Sequence, residues 1–202
     1  MLKPEEATRI KDRPDRELNQ VYMREKAFSE EECRAIREIG ETFKREGNLP
    51  ESGTFTADGD NAMSDYRQAA SQFMMPDRDN RWIFQRLHDL LIPVNNAVYQ
   101  FHLAGFEQGA QISEYPVGNG YGWHVDIGHH MAIRRKLSMT VQLSSPDEYD
   151  GGELEFMIPA LSADRGIGSL CVFPAWMLHR VKPITAGNRW SLVSWICGEP
   201  FK

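Results

Sequence analysis

Cysteine is scarce in this chain. Cys33, Cys171 and Cys197 are odd in number and far apart, so they offer neither a disulfide framework nor a zinc ribbon; reduced thiols in a cytoplasmic protein are expected. Long hydrophobic runs are missing as well. No stretch approaches the roughly 18 apolar residues of a membrane-spanning helix, and Met1-Leu2-Lys3-Pro4-Glu5-Glu6 opens on charge rather than on the apolar region of a leader. No membrane association is expected. Positive charge is in deficit, with a net charge of -6 and a single basic run, Arg134-Arg135-Lys136, which reads as a solvated loop or the start of a strand. Nucleic-acid partners are not expected, because phosphate-backbone binding needs clustered Lys and Arg. Internal repeats and low-complexity segments are absent from the sequence.

What remains is the composition of a globular protein. At 202 residues and 41% hydrophobic, the chain can bury one substantial core. The first twenty residues, charged and aperiodic with Pro4 and Pro14, read as a loosely held terminus. Ser29 with Glu32 forms a capping-box pattern, and Cys33, Ile36, Ile39 and Phe43 recur at helical spacing, predicting a helix from Ser29 to Arg45 that Gly47 stops. Glu46 to Asp65, rich in Gly, Asp, Asn and Ser, reads as a long loop whose tip lies over a site. A short strand is expected over Tyr66 to Met74. Ile83, Leu87, Leu90, Leu91, Val94 and Val98 restore helical periodicity, with Pro93 expected to kink that helix or to start a second one.

From Gly105 the texture changes to short alternating runs broken by Gly, Pro, Asn or Asp, the pattern of an antiparallel sandwich or barrel. Strands are expected at Gln108 to Tyr115, Tyr121 to Val125, Lys136 to Ser144, Leu154 to Ile158, Gly168 to Phe173, His179 to Ile184 and Arg189 to Cys197. Helices first and strands afterwards give an α+β class. One domain is expected, residues 1–104 being mostly helical support and lid loop and residues 105–202 the β core with the site.

Chemistry concentrates at His124-Val125-Asp126, answered downstream by His179, Arg189 and Ser191. In a strand, residues two apart share a face, so His124 and Asp126 can bind one metal. H-x-D alone is a weak signal in a chain with six histidines, and a lone histidine in the apolar setting of His179 is more often a core residue. Together, two imidazoles and one carboxylate form the facial set that holds Fe(II) with open positions for substrate and oxygen. Arg189 and Ser191 lie on one face of an apolar strand, and a buried arginine calls for an anion such as a small dicarboxylate. A cupin-like metal-binding domain without turnover and a zinc-dependent hydrolase are the rival readings, and neither needs that anion clamp. His129 and His130 read as loop residues at the cavity mouth in preference to further ligands of a local zinc site, Trp123 as a core residue with a rim position as the alternative, Gly151-Gly152 as a turn, and Arg180 as pointing away from the metal toward solvent or an acidic partner.

Gln111-x-x-x-Tyr115-Pro116 through Tyr121-x-x-His124-x-Asp126, then Leu137-Ser138-x-Thr140, Tyr149-Asp150-Gly151-Gly152-Glu153-Leu154, and His179-Arg180-Val181 with Pro183, Gly187, Arg189, Ser191 and Trp195 resemble the Fe(II)- and 2-oxoglutarate-dependent oxygenases of the prolyl 4-hydroxylase-like superfamily, especially its PKHD-type hydroxylases. The resemblance covers roughly Gly105 to Phe201, about half the chain. It implies a double-stranded β-helix of the jelly-roll, cupin-like kind, with His124, Asp126 and His179 as iron ligands and Arg189 as partner of the cosubstrate's distal carboxylate. Ser191, Tyr115 and Gln142 are implied as further cosubstrate contacts. The cofactors implied are Fe(II) and 2-oxoglutarate, with ascorbate as an accessory reductant, and the partners are O2 and a peptidyl or small-molecule substrate. Asp126 points to hydroxylation, since related halogenases lack that carboxylate. Substrate specificity is expected to reside in the Glu46 to Asp65 loop and in Ile127 to Arg135.

Overall fold

In the computed structural model, residues 18–52, 54–55, 61–62 and 67–200 are described. The N-terminal segment read as loosely held lies largely outside them, as does most of the tip of the Glu46 to Asp65 loop. Strand β1 is Tyr22–Arg24, helix α1 is Glu30–Arg45, β2 is Arg67–Met74 and helix α2 is Arg81–Val94. The β core continues with β3 (Ala110–Pro116), β4 (Gly120–His124), β5 (Arg135–Gln142), β6 (Tyr149–Gly151), β7 (Leu154–Phe156), β8 (Leu170–Pro174), β9 (His179–Val181) and β10 (Ile184–Gly198). The class is α+β, as the order of periodicities implies.

Local chemistry starts α1 where the sequence places it. Ser29 Oγ accepts from the Glu32 amide at 3.1 Å and Glu32 returns a carboxylate to the Ser29 amide at 2.7 Å, which satisfies two otherwise unpaired donors. Gly47, at φ +73, ends it. The buried face of α1 is Cys33, Ile36 and Gly40. Gly40 is a contact requirement, because a Cβ there would lie 2.6 Å from Trp190 Cζ3 and 2.7 Å from Ile112 Cγ2. Gly40→Val should therefore destabilise the fold by about 2 kcal/mol through overpacking, despite a gain in helix propensity. Urea unfolding should show a lowered midpoint with an unchanged slope.

Pro93 lies inside the second helix, one residue before its end, and starts no new α-helix. The α2 geometry continues through Val94 and then widens into a π turn at Asn95–Tyr99, closed by Gln100 N donating to Asn95 O at 2.6 Å. Proline withdraws one amide from the ladder, and the wider turn takes up the mismatch within the next residues.

The larger sheet runs β1-β8-β5-β10-β3-β2, and a smaller one runs β4-β9-β7; β2 pairs with β3 and, through Arg67 and Gln68, with β4. All these pairings are antiparallel. Register determines the faces. Leu192 lies opposite Ile112 and Val141, and these join Trp190, Leu170 and Val172 in the core beneath the helices. The alternate residues, Ser113, Tyr115, Ser138, Thr140, Gln142, Cys171, Phe173, Arg189 and Ser191, line the inner face toward the smaller sheet. A second core of Tyr115, Tyr149, Leu154, Phe156, Phe173, Met177, Val181 and Ile184 fills the space between the sheets.

Two strand expectations change. The run from His179 to Ile184 breaks at Lys182-Pro183, because proline has no amide to give the ladder. Consequently β10 begins at Ile184 rather than Arg189, and its first residues pair with β6, a strand too short to stand out from its neighbouring glycines. β1, which pairs with Leu170 to Val172, falls outside every alternating run in the sequence.

Candidate metal centre and anion pocket

The antiparallel pairing of β9 with β4 places His179 directly opposite His124. Asp126 follows just beyond the end of β4, where its amide donates to Ala175 O at 2.8 Å, tying it to the turn that leads into His179. Donor atoms of His124, Asp126 and His179 lie within 4.8 Å of one another. His124 Nε2 is 3.7 Å from Asp126 Oδ1, and His179 Nε2 is 3.6 Å from Asp126 Oδ2. Each ring is oriented from behind by a carbonyl two residues upstream: His124 Nδ1 sits 2.8 Å from Gly122 O and His179 Nδ1 sits 2.8 Å from Met177 O. With Nδ1–H donating there, both Nε2 lone pairs face the carboxylate, the tautomer a metal requires.

Burial opposes ionisation of Asp126, but His179, His124 and Arg135 together with the Ser138 hydroxyl, which donates at 2.6 Å to Oδ2, hold its carboxyl down at about 2. It is a carboxylate throughout the physiological range. Aromatic walls complete the setting. Tyr121 stacks on His124 with ring centroids 3.4 Å apart, and Phe173 meets His179 edge-on at 4.7 Å. His129 and His130 are exposed beside a short 3-10 turn and are not part of this group.

Arg189 sits opposite Tyr115 on β3, buried to 3% exposure, with its guanidinium carbon 5.4 Å from the Tyr115 ring centre. Its Nη1 is buried and has no hydrogen-bond partner among the described residues. A small cavity lies beside it, lined by Thr140, Gln142, Tyr149, Gly152, Arg165 and Cys171 among others. Gly152, at φ +66, keeps it open, since a Cβ there would come within 2.3 Å of Ile184 Cδ1 and 3.0 Å of Arg189 Cδ. An orphaned cationic donor facing a cavity is what an anion's carboxylate would satisfy. Ser191 lies two residues along the same face, opposite Ser113 and Gln142. The inner face therefore carries a group that could hold a metal toward one end and a cavity beside a buried guanidinium further along, and the residues present fit a metal and an anion.

Gln142 lines the pocket, but its Nε2 donates to the Tyr149 hydroxyl at 2.7 Å. Tyr149 thus enters the site through a motif read mainly for its glycines. Arg135 was also missed. Instead of lying in a solvated run, its guanidinium stacks 3.8 Å from the Trp195 ring centre, and Nη1 donates to Asp126 O at 3.1 Å. The register of β5 turns Arg135 toward the Asp126 backbone, and the indole provides a face for its plane. Arg180 points outward, paired with Glu155 at 2.7 Å and stacked over Trp123 at 4.6 Å.

A family pattern described as the 2OG-Fe(II) oxygenase superfamily matches residues 110–197. A PKHD-type hydroxylase of Synechococcus sp. (strain JA-2-3B'a(2-13)) is 39% identical over 98 residues, covering 42% of this chain and 41% of that protein. Another from Hyphomonas neptunium is 42% identical over 85 residues, covering 39% and 38% respectively. The matched region thus spans about two fifths of the length of these curated relatives. Among solved structures, a Pseudomonas putida prolyl-4-hydroxylase superposes with a TM-score of 0.72 at 20% identity over 90% of this chain and 94% of that one. A Trichoplax adhaerens prolyl hydroxylase, solved with a hypoxia inducible factor peptide fragment, gives 0.73 at 15% identity over 89% and 84%. The fold is theirs across nearly the whole chain. The stretch that carries the 2OG-Fe(II) oxygenase superfamily pattern, residues 110–197, is the β core in which the candidate metal-binding triad and the arginine pocket sit together.

Proposed function

We propose that the protein is an Fe(II)- and 2-oxoglutarate-dependent dioxygenase that hydroxylates a C–H bond of a peptidyl, prolyl-type substrate. The observation that carries this reading is the buried Arg189, which lines a cavity on the same inner face as the His124, Asp126, His179 group and whose Nη1 has no partner among the described residues. A zinc hydrolase or a metal-binding domain without turnover leaves that guanidinium unexplained. The peptidyl class is supported by the hypoxia inducible factor peptide fragment held by the structurally similar Trichoplax adhaerens prolyl hydroxylase.

In this reading Nε2 of His124, Nε2 of His179 and the carboxylate of Asp126 would hold the metal. Fe(II) and 2-oxoglutarate, when bound, supply the oxidising power, with succinate and CO2 as by-products. The chain's own work is placement. The carbonyls of Gly122 and Met177 fix the imidazole tautomers, while Ser138 and Arg135 hold the side chain and backbone of Asp126. Arg189 would anchor the distal carboxylate, with Ser191 and Tyr115 beside it on the same inner face. Phe156 and Phe173 keep the protected side of the centre apolar, so water has little access there.

Two measurements test the reading. Anaerobic addition of Fe(II) and 2-oxoglutarate should produce a weak visible charge-transfer band. In air, with ascorbate in the buffer, proline-containing peptides should raise succinate release above the level without peptide. No band and no succinate under any peptide pool would exclude the activity; succinate stimulated only by free metabolites would move the substrate class.

A further inference from the structure

The anion pocket contains a second polar group whose proton has no destination. Tyr149 is buried, and its ring edge and the Arg189 stem flank the same glycine: a Cβ on Gly152 would lie 3.3 Å from Tyr149 Cε2 and 3.0 Å from Arg189 Cδ. Both side chains line the one cavity. The Tyr149 oxygen already accepts twice, from Gln142 Nε2 at 2.7 Å and from Arg165 Nε at 3.5 Å. A phenol has one proton to give, and among the described residues no acceptor takes it. Arg165 also fixes the ring itself, with Nη2 donating to Tyr149 O at 2.9 Å and the guanidinium 4.6 Å over the ring.

We propose that Tyr149 is the second hydrogen-bond donor of the anion pocket, its hydroxyl aimed by Gln142 and Arg165 onto the carboxylate that Arg189 binds; this rests on the 2-oxoglutarate reading. Gln142, on the inner face of β5, is then a positioning residue that acts through the phenol rather than a direct contact. The pair of donors makes the pocket selective for 2-oxo acids with a second carboxylate over monoacids of the same length.

Calorimetry on the full chain loaded with Mn(II) tests this without turnover. Two ligands are compared, 2-oxoglutarate and 2-oxopentanoate, which keeps the metal-chelating end and chain length but lacks the distal carboxylate. Tyr149→Phe should weaken 2-oxoglutarate roughly 10-fold or more, the scale of one hydrogen bond to a charged group, and leave 2-oxopentanoate unchanged. Gln142→Met, which frees the hydroxyl's orientation but keeps it present, should give a smaller loss confined to the same ligand. Unchanged 2-oxoglutarate affinity in Tyr149→Phe, or an equal loss for both ligands, overturns the proposal. If Tyr149→Phe does not fold, Gln142→Met decides by the same criterion. Failure of the unsubstituted protein to bind 2-oxoglutarate removes the underlying reading as well, whereas normal binding with an indifferent Tyr149→Phe removes only this inference.

Discussion

Arg189→Met is expected to weaken 2-oxoglutarate binding by roughly 30- to 1,000-fold while leaving the melting temperature of the ligand-free protein unchanged or higher. The two effects have one origin. In the ligand-free chain Arg189 is a buried cation whose Nη1 has no partner among the described residues, where the Tyr115 ring 5.4 Å away offsets part of its desolvation. Methionine fills similar volume and removes that cost. When the carboxylate arrives, the same guanidinium provides a fork of charge-assisted hydrogen bonds in a water-poor pocket, and methionine provides none. Arg189→Lys should fall between, keeping charge but losing the planar fork. Isothermal calorimetry and thermal unfolding on the same preparations check both halves. A melting temperature that falls together with affinity would mean that Arg189 braces the sheet, and the anion pocket would lose its main support.

The difference between what the sequence disclosed and what it hid follows the range of the interactions. The capping box at Ser29 and Glu32 spans three residues and needs no tertiary partner, so the start of α1 is legible. The spacing of Arg189 and Ser191 is likewise a strand property, and their shared inner face follows from a period of two. By contrast, nothing near His124 in the chain indicates that His179 will stand opposite it; that pairing belongs to the β4–β9 register across 55 residues. Tyr149 and Arg135 were hidden for a related reason. Tyr149 lies before a double glycine whose positive φ values dominate any local reading, yet the phenol meets Gln142 only because β6 folds back along β10. Arg135 belongs to a basic run that on composition alone belongs in solvent. Its contacts with Trp195 and Asp126 O occur at the first residue of β5, where the pairing with β10 slips between Ile196 and Cys197, an irregularity that strand alternation does not disclose.

His179→Ala should abolish metal-dependent succinate release, a fall of roughly 10³-fold or more, because groups that act as a unit lose most of their effect when one is removed. The remaining pair, His124 and Asp126, would hold a metal from only two side chains. The imidazole also packs against Phe173 at 4.7 Å and Phe156 at 6.1 Å, so alanine leaves a cavity as well as a missing ligand. His179→Gln separates these effects. It keeps most of the volume and a polar head but not the imidazole lone pair, so its melting temperature should lie closer to that of the unsubstituted protein while its Fe(II) affinity falls with that of His179→Ala. Metal content after dialysis, read beside thermal unfolding, distinguishes the outcomes. Full metal retention in His179→Gln with succinate release intact would show that β9 contributes packing rather than a ligand, and the triad would have to be completed from elsewhere.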